Sequence, residues 1–214
     1  MATIFITGGT GYMGSRLIRI LLSKHFLVRA LVRNGSEGKL PPGTVPVIGD
    51  AFSSSSFSKS IPHDAVFVQL LGVAHPGPNK KDLFRKIDLA SALASVQAAK
   101  EAGASQLVYI SVAQTPTKIM EDYQRCRAEA ESAIRSSGLA STFIRPWYVV
   151  GPGHYWPLFL QPIFKILEWI PSTAEKAKAL RLVYLNQMMK VLVYAIENPP
   201  QGIRVIEIAD IRKF

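Results

Sequence analysis

Three sets of residues have the types and spacing to do chemistry. The first is Thr7-Gly8-Gly9-Thr10-Gly11-Tyr12-Met13-Gly14, a Gly-x-x-Gly-x-x-Gly run. It stands between an apolar, strand-like Thr3–Ile6 and a helical recurrence of Leu17, Ile18, Leu21 and Leu22. In that setting Gly8 permits a tight turn out of the strand, Gly11 lets a pyrophosphate approach the backbone, and Gly14 lets the helix pack closely on the sheet. First-turn N–H groups and the helix dipole then favour the anion. Gly8, Thr10, Gly11, Tyr12, Met13 and Gly14 are therefore the expected phosphate cradle. The second set is Tyr123 and Arg127, four residues apart and so on one helix face. A cation there favours phenolate, lowers the tyrosine's pKa and suits it to proton transfer; the same pair also fits an ordinary amphipathic helix. The third is Ser111, at the carboxyl end of an apolar strand, where open α/β sheets bind their ligands.

These residues need a sheet to position them, and the chain supplies one. Strands are expected at Thr3–Ile6, Leu27–Val32, Val45–Ile48, Ala65–Leu71, Gln106–Ser111 and Ala140–Ile144, with a short one at Leu180–Tyr184 and a last one at Ile203–Ile208. Helices are expected after Gly14, from a serine-rich start at Ser53–Ser56, over Lys81–Ala102 with one apolar stripe, over Lys118–Ser137 and over Asn186–Glu197. The alternation predicts an α/β fold: a doubly wound, parallel, Rossmann-like sheet in three αβα layers with a small C-terminal cap. At 214 residues a single domain is expected, with a dinucleotide-binding core over 1–150, a cap or substrate segment over 151–185 and a closing helix and strand over 186–214.

Strand ends add further candidates. Arg33 follows the second strand, where an acid would accept the ribose hydroxyls of NAD; the next acid is Glu37. A guanidinium instead clamps a 2′-phosphate through paired, charge-assisted hydrogen bonds, which favours NADP, with NAD as the alternative. Asp50 closes the third strand and is either an adenine contact or a plain turn aspartate. Leu71 and Gly72 end the fourth strand and bring backbone toward the cofactor; His75, in the loop beyond, is a candidate ligand contact. Pro146, after the sixth strand, completes the cofactor set, and no metal is expected.

Order and separation of Thr7–Gly14, Gly49-Asp50, Tyr109-Ile110-Ser111-Val112, Tyr123 to Arg127 with Ala128-Glu129-Ala130-Glu131, and Ile144-Arg145-Pro146 leading to Val150-Gly151-Pro152-Gly153 resemble the short-chain dehydrogenase/reductase superfamily. The likeness is to its atypical, NmrA-like branch and to NAD(P)-binding epimerase/dehydratase-like proteins, from Thr3 to about Gly153. The resemblance implies NAD(P) at the glycine turn and a Ser–Tyr–Lys site. Ser111 would polarise a carbonyl or hydroxyl, and Tyr123 would be the general acid/base. The family's lysine, which touches the nicotinamide ribose and depresses the tyrosine's pKa, is Arg127 here, and that exchange is not conservative. Several atypical relatives are non-catalytic cofactor sensors or structural subunits. The expectations are thus an NAD(P)H-dependent oxidoreductase for a small, apolar carbonyl or hydroxyl compound, a non-catalytic NAD(P)-binding sensor or scaffold, and an epimerase or isomerase using a tightly held cofactor, for whose sugar-nucleotide domain 214 residues leave little room.

Trp147–Ile170 holds all three tryptophans, and reads as a cap over the substrate, as core, or as an interfacial segment. The net charge of +10 comes from scattered Lys and Arg, so nucleic acid is not expected; an anionic cofactor and substrate benefit. No apolar run approaches bilayer length. The first strand starts at Thr3, leaving no room for a secretory signal, and Cys126 stands alone, so the expectation is a cytoplasmic monomer or homodimer.

Overall fold

The structure, a computed structural model, describes residues 2–74, 76–118, 120–160 and 180–214, with positions 162, 169 and 175 between. Seven parallel strands form the main sheet: β1 (Thr3–Thr7), β2 (Leu27–Val32), β3 (Val45–Ile48), β4 (Val66–Gln69), β5 (Gln106–Ile110), β6 (Ser141–Ile144) and β9 (Ile203–Ile206). Their order is β3-β2-β1-β4-β5-β6-β9. Two shorter strands, β7 (Val149–Val150) and β8 (Val183–Tyr184), pair in parallel as a separate ribbon.

Side chains alternate across the sheet, and both faces are covered. Ile4, Ile6, Val28, Val66, Val68, Val108 and Ile144 face α1 (Gly14–Ser23) through Leu17, Ile18 and Leu21. They also face α4 (Leu185–Glu197) through Met188, Val191 and Leu192. Phe5, Leu31, Phe67, Leu107, Tyr109 and Phe143 point the other way. They meet α2 (81–101) and α3 (Glu121–Ser137) through Ala92, Val96, Ala130 and Ile134. This double burial is why the strands read as almost unbroken apolar runs. The doubly wound, three-layer expectation holds, with α5 (Ile208–Ile211) added at the end.

Several boundaries moved for local reasons. The expected helix over Lys81–Ala102 is α2, made of Lys81–Leu83, a π-helical stretch Phe84–Leu89 and Ala90–Glu101. The wider π turn directs Phe84, Asp88 and Leu89 inward. The helix expected from Lys118 begins at Glu121 because side chains hold the chain before it. Met120 N–H donates to Thr117 Oγ1, while the Gln124 amide donates to the carbonyls of Ala113 and Thr115. Ser53–Ser56 opens two 3-10 turns, Ser54–Ser56 and Ser58–Ser60, instead of a longer helix. The last strand stops at Ile206 because Ile208 already belongs to α5. The fourth strand stops at Gln69, short of Leu71. Of the expected cap, β7, the 3-10 turn Trp156–Leu160 and β8 are seen; positions 161, 163–168, 170–174 and 176–179 lie outside the described residues, as does His75.

Candidate active site

The glycine turn has the geometry its spacing demands. Gly8 has φ +73°, and a Cβ on it would stand 2.7 Å from Leu71 N. Gly11 N–H donates to Gly8 O at 3.0 Å, closing the turn. A Cβ on Gly14 would come within 2.2 Å of that same Gly8 oxygen, so only glycine lets α1 start against the turn. No side chain caps α1 and no acid lies in its first turn, which leaves its amides and dipole to an anion. Arg16 adds a cation there: Nη1 donates to Tyr12 O at 2.8 Å and the guanidinium lies 4.2 Å over the Tyr12 ring.

A cavity of about 610 Å³ runs from this turn across the carboxyl ends of β4 and β5. Gly8, Gly11, Tyr12, Met13 and Gly14 line it together with Gly72, Ser111, Tyr123, Arg127 and Pro146, and with Trp147, Tyr148, Val149 and His154, whose ring lies 6.1 Å from that of Tyr12. So the expected catalytic residues and most expected cofactor contacts share one space. Ser111 is 2% exposed, and its Oγ has no hydrogen-bond partner among the described residues. A buried hydroxyl without a partner is costly, and this one sits on the cavity wall, where a ligand oxygen would satisfy it. The glycine cradle fits a bound dinucleotide, and the unpartnered Ser111 hydroxyl stands on the wall of the same cavity. Tyr123, half-buried, packs on Phe84 with ring centroids 4.9 Å apart.

Arg127 lines the cavity with Tyr123. Its guanidinium is buried and held by the protein through both terminal nitrogens. Nη2 donates to Asp88 Oδ1 at 2.5 Å; Nη1 donates to Ile110 O at 2.8 Å and to Tyr109 Oη at 3.2 Å. Asp88, 1% exposed, also accepts Val73 N–H at 3.1 Å. Nη1 and Nη2 are thus engaged by Asp88 and β5, while Nε has no partner among the described residues on a side chain that lines the cavity. The expected lowering of the Tyr123 pKa is corrected. Burial pushes that phenol above its ordinary value, and Asp88 adds to the rise while Arg127 opposes it.

Four expected cofactor contacts lie outside the cavity lining. Thr10 and Arg33 are exposed, Arg33 just past β2. Leu71 is half-buried and supports Gly8 with its backbone. Asp50 accepts Phe52 N–H at 3.0 Å through one carboxylate oxygen, a turn contact. Asp88 was missed by the sequence reading. Its signal was a carboxylate beside Leu89 in the inward part of an alanine-rich helix.

A family model described as NAD(P)H-binding matches residues 8–151. The chain belongs to the NAD(P)H-binding family. Its fold is the Rossmann-like one of solved epimerase structures. Among proteins it is similar to are a UDP-glucose 4-epimerase of Vibrio cholerae, 24% identical over 97% of this chain and 70% of that one, and a ceramide reductase of Caulobacter vibrioides, 23% identical over 98% and 65%. The chain thus spans about two thirds of these relatives' length. A solved UDP-glucose 4-epimerase of Thermus thermophilus in complex with NAD superposes with a TM-score of 0.70 at 18% identity, covering 96% of this chain and 77% of that one. The Bordetella bronchiseptica enzyme WbmH in complex with NAD+ gives 0.72 at 19% identity, covering 97% and 76%. The matched span of the NAD(P)H-binding family holds Gly8 to Gly14 of the glycine turn, Ser111, Tyr123, Arg127, Trp147 and Tyr148. Among the described residues, no helix is long and apolar enough to cross a membrane.

Proposed function

We propose that the chain is an NADPH-dependent oxidoreductase of the atypical short-chain dehydrogenase/reductase type, reducing a carbonyl on a small apolar compound. One observation carries the reading: the unpartnered Ser111 hydroxyl and the Tyr123 phenol line the same cavity as the glycine turn. The rest of the lining supports an apolar compound. Among the described residues it contains no Asn, Gln, Asp, Glu or Lys side chain, and its Ser, Tyr, His and Arg groups are set among more numerous aliphatic, Met, Pro and Trp ones.

A bound reduced nicotinamide supplies the hydride. The chain's own residues do the rest. The amides at the start of α1, with Arg16 beside them, hold the pyrophosphate. Ser111 Oγ–H donates to the carbonyl oxygen and stabilises charge as it develops. Tyr123 holds a proton at its phenol oxygen for the nascent alkoxide and is reprotonated from water. Trp147 and Val149 line the cavity and keep solvent from the reacting carbon. Arg33, exposed past β2 with no acid before Glu37, supports NADPH over NADH.

The test is NADPH oxidation with a panel of aldehydes, ketones, quinones and enones. Turnover with an apolar member, lowered roughly 10²–10⁴-fold by Tyr123→Phe at nearly constant NADPH affinity, is expected. Tight cofactor binding with no turnover across the panel would instead establish a sensor or scaffold. That second reading is favoured by the way Asp88 occupies the guanidinium standing where the family's lysine would be.

A further inference from the structure

The π-helical stretch Phe84–Leu89 carries the one acidic side chain, among the described residues, that reaches the cation beneath the candidate catalytic tyrosine. Asp88 bonds Arg127 through one oxygen and Val73 N–H, on the cavity wall, through the other. Arg127 in turn is tied to the end of β5 through Ile110 O. Its Cζ lies 5.2 Å from the ring centroid of Tyr123 and 5.5 Å from that of Tyr109. The pair is pressed against the backbone at the end of β4: a Cβ on Gly72 would stand 2.5 Å from Arg127 Nη2 and 2.8 Å from Asp88 Oδ1. The guanidinium is thus held between Asp88 and β5 while still acting on the Tyr123 phenol, whose ionisation it favours. The charged and titratable groups that face Tyr123 are Arg127 on its own helix, Asp88 from the π stretch and Tyr109 from β5.

We propose that Asp88 is a positioning residue: its carboxylate balances Arg127 and pins it under the Tyr123 ring, so that the pair acts as a neutral unit and Tyr123 enters the reaction as a proton donor. The role in turnover rests on the oxidoreductase reading; the charge balance does not. The site is then biased toward reduction. As a carbonyl carbon gains hydride and its C=O electrons move to oxygen, the Tyr123 O–H bond breaks and a new O–H bond forms on the product. The phenolate left behind recovers its proton from water. Withdrawing a proton from an alcohol, the reverse step, needs a phenolate that the balanced pair does not favour.

The test is spectrophotometric titration of phenolate in the whole chain, each protein compared with its Tyr123→Phe counterpart to isolate this one tyrosine. Asp88→Asn leaves the cation unbalanced, and Tyr123 should ionise at least about one pH unit lower, a tenfold rise in phenolate at fixed pH. Asp88→Glu should restore the parent titration. Where Asp88→Asn does not fold, Asp88→Asn with Arg127→Gln removes both charges, and Tyr123 should then titrate close to its parent position. A rise of a unit or more in that double variant would mean that Arg127 acts as a free cation and would overturn the proposal. So would an unmoved titration in folded Asp88→Asn. With an accepted carbonyl substrate, Asp88→Asn should also bring the alkaline fall in reductive kcat to lower pH. If the titrations behave as expected and no carbonyl compound is reduced, the charge balance stands and the oxidoreductase reading falls.

Discussion

At the scale of single residues, the site mixes groups that hold the fold with groups that only serve a ligand, and mutation separates them. Ser111 Oγ bonds nothing among the described residues. Ser111→Ala should therefore leave stability within about 0.5 kcal/mol by chemical denaturation, while cutting turnover roughly 10²–10³-fold, the range for removing one donor to a developing oxyanion. Gly14 behaves oppositely. A methyl there meets Gly8 O at 2.2 Å, so Gly14→Ala should cost about 1–3 kcal/mol and abolish NADPH binding in a fluorescence titration. Arg33 is the proposed specificity residue. Arg33→Ala should weaken NADPH by about 1–3 kcal/mol and leave NADH unchanged; equal losses for both cofactors would remove the case for a 2′-phosphate contact. Ser111, Tyr123 and the glycines were legible because strand ends, helix faces and turn chemistry leave a local trace. Arg127's partner was not, because Asp88 lies 39 positions away and meets it only through the packing of α2 on α3.

Elements show the same division. The strands could be read because the sheet is covered on both sides, and a buried pleat demands Val, Ile, Leu or Phe at nearly every position. The π stretch could not, because one extra residue in a turn leaves the apolar recurrence almost intact. α3 is fixed to the end of the sheet by charge as well as by packing. Arg145, just past β6, donates Nε and Nη2 to the two oxygens of Glu131, at 2.8 and 2.5 Å, and Nη1 to Glu207 Oε1 at 2.7 Å. Glu131 is 3% exposed, so Arg145→Met leaves a buried carboxylate with only the longer Arg135 contact at 3.8 Å and should cost about 2–4 kcal/mol by urea denaturation. Adding Glu131→Leu should recover most of that loss. If the single variant is as stable as the parent, the network contributes nothing to docking α3.

Across the whole molecule, buried phenols set an alkaline limit. Tyr109 is completely enclosed and its phenol is pushed up to about 12, mainly by burial; Tyr12, Tyr123 and Tyr148 are displaced upward for the same reason. A raised folded pKa means that the unfolded chain loses the proton first. The stability that Tyr109 contributes is thus complete below about pH 10, where the unfolded phenol titrates, and is lost as the pH climbs toward 12. Denaturation midpoints should fall steeply over that window, and Tyr109→Phe should flatten the fall even though it loses the Arg127 hydrogen bond at neutral pH.

The β7–β8 ribbon gives the chain a property of a different kind. Val149 pairs with Val183 and Val150 with Tyr184, so the chain leaves the dinucleotide-binding part and returns to it at neighbouring points. The ends of the intervening stretch are fixed by backbone bonds that do not depend on its sequence. Closing such a loop costs only about 0.6 kcal/mol for each doubling of its length. Insertions, deletions and exchanges between homologues are then tolerated there while Ser111, Tyr123 and the glycine turn keep their positions. The clasp thus decouples the length of this stretch from the geometry of the cavity residues that precede it.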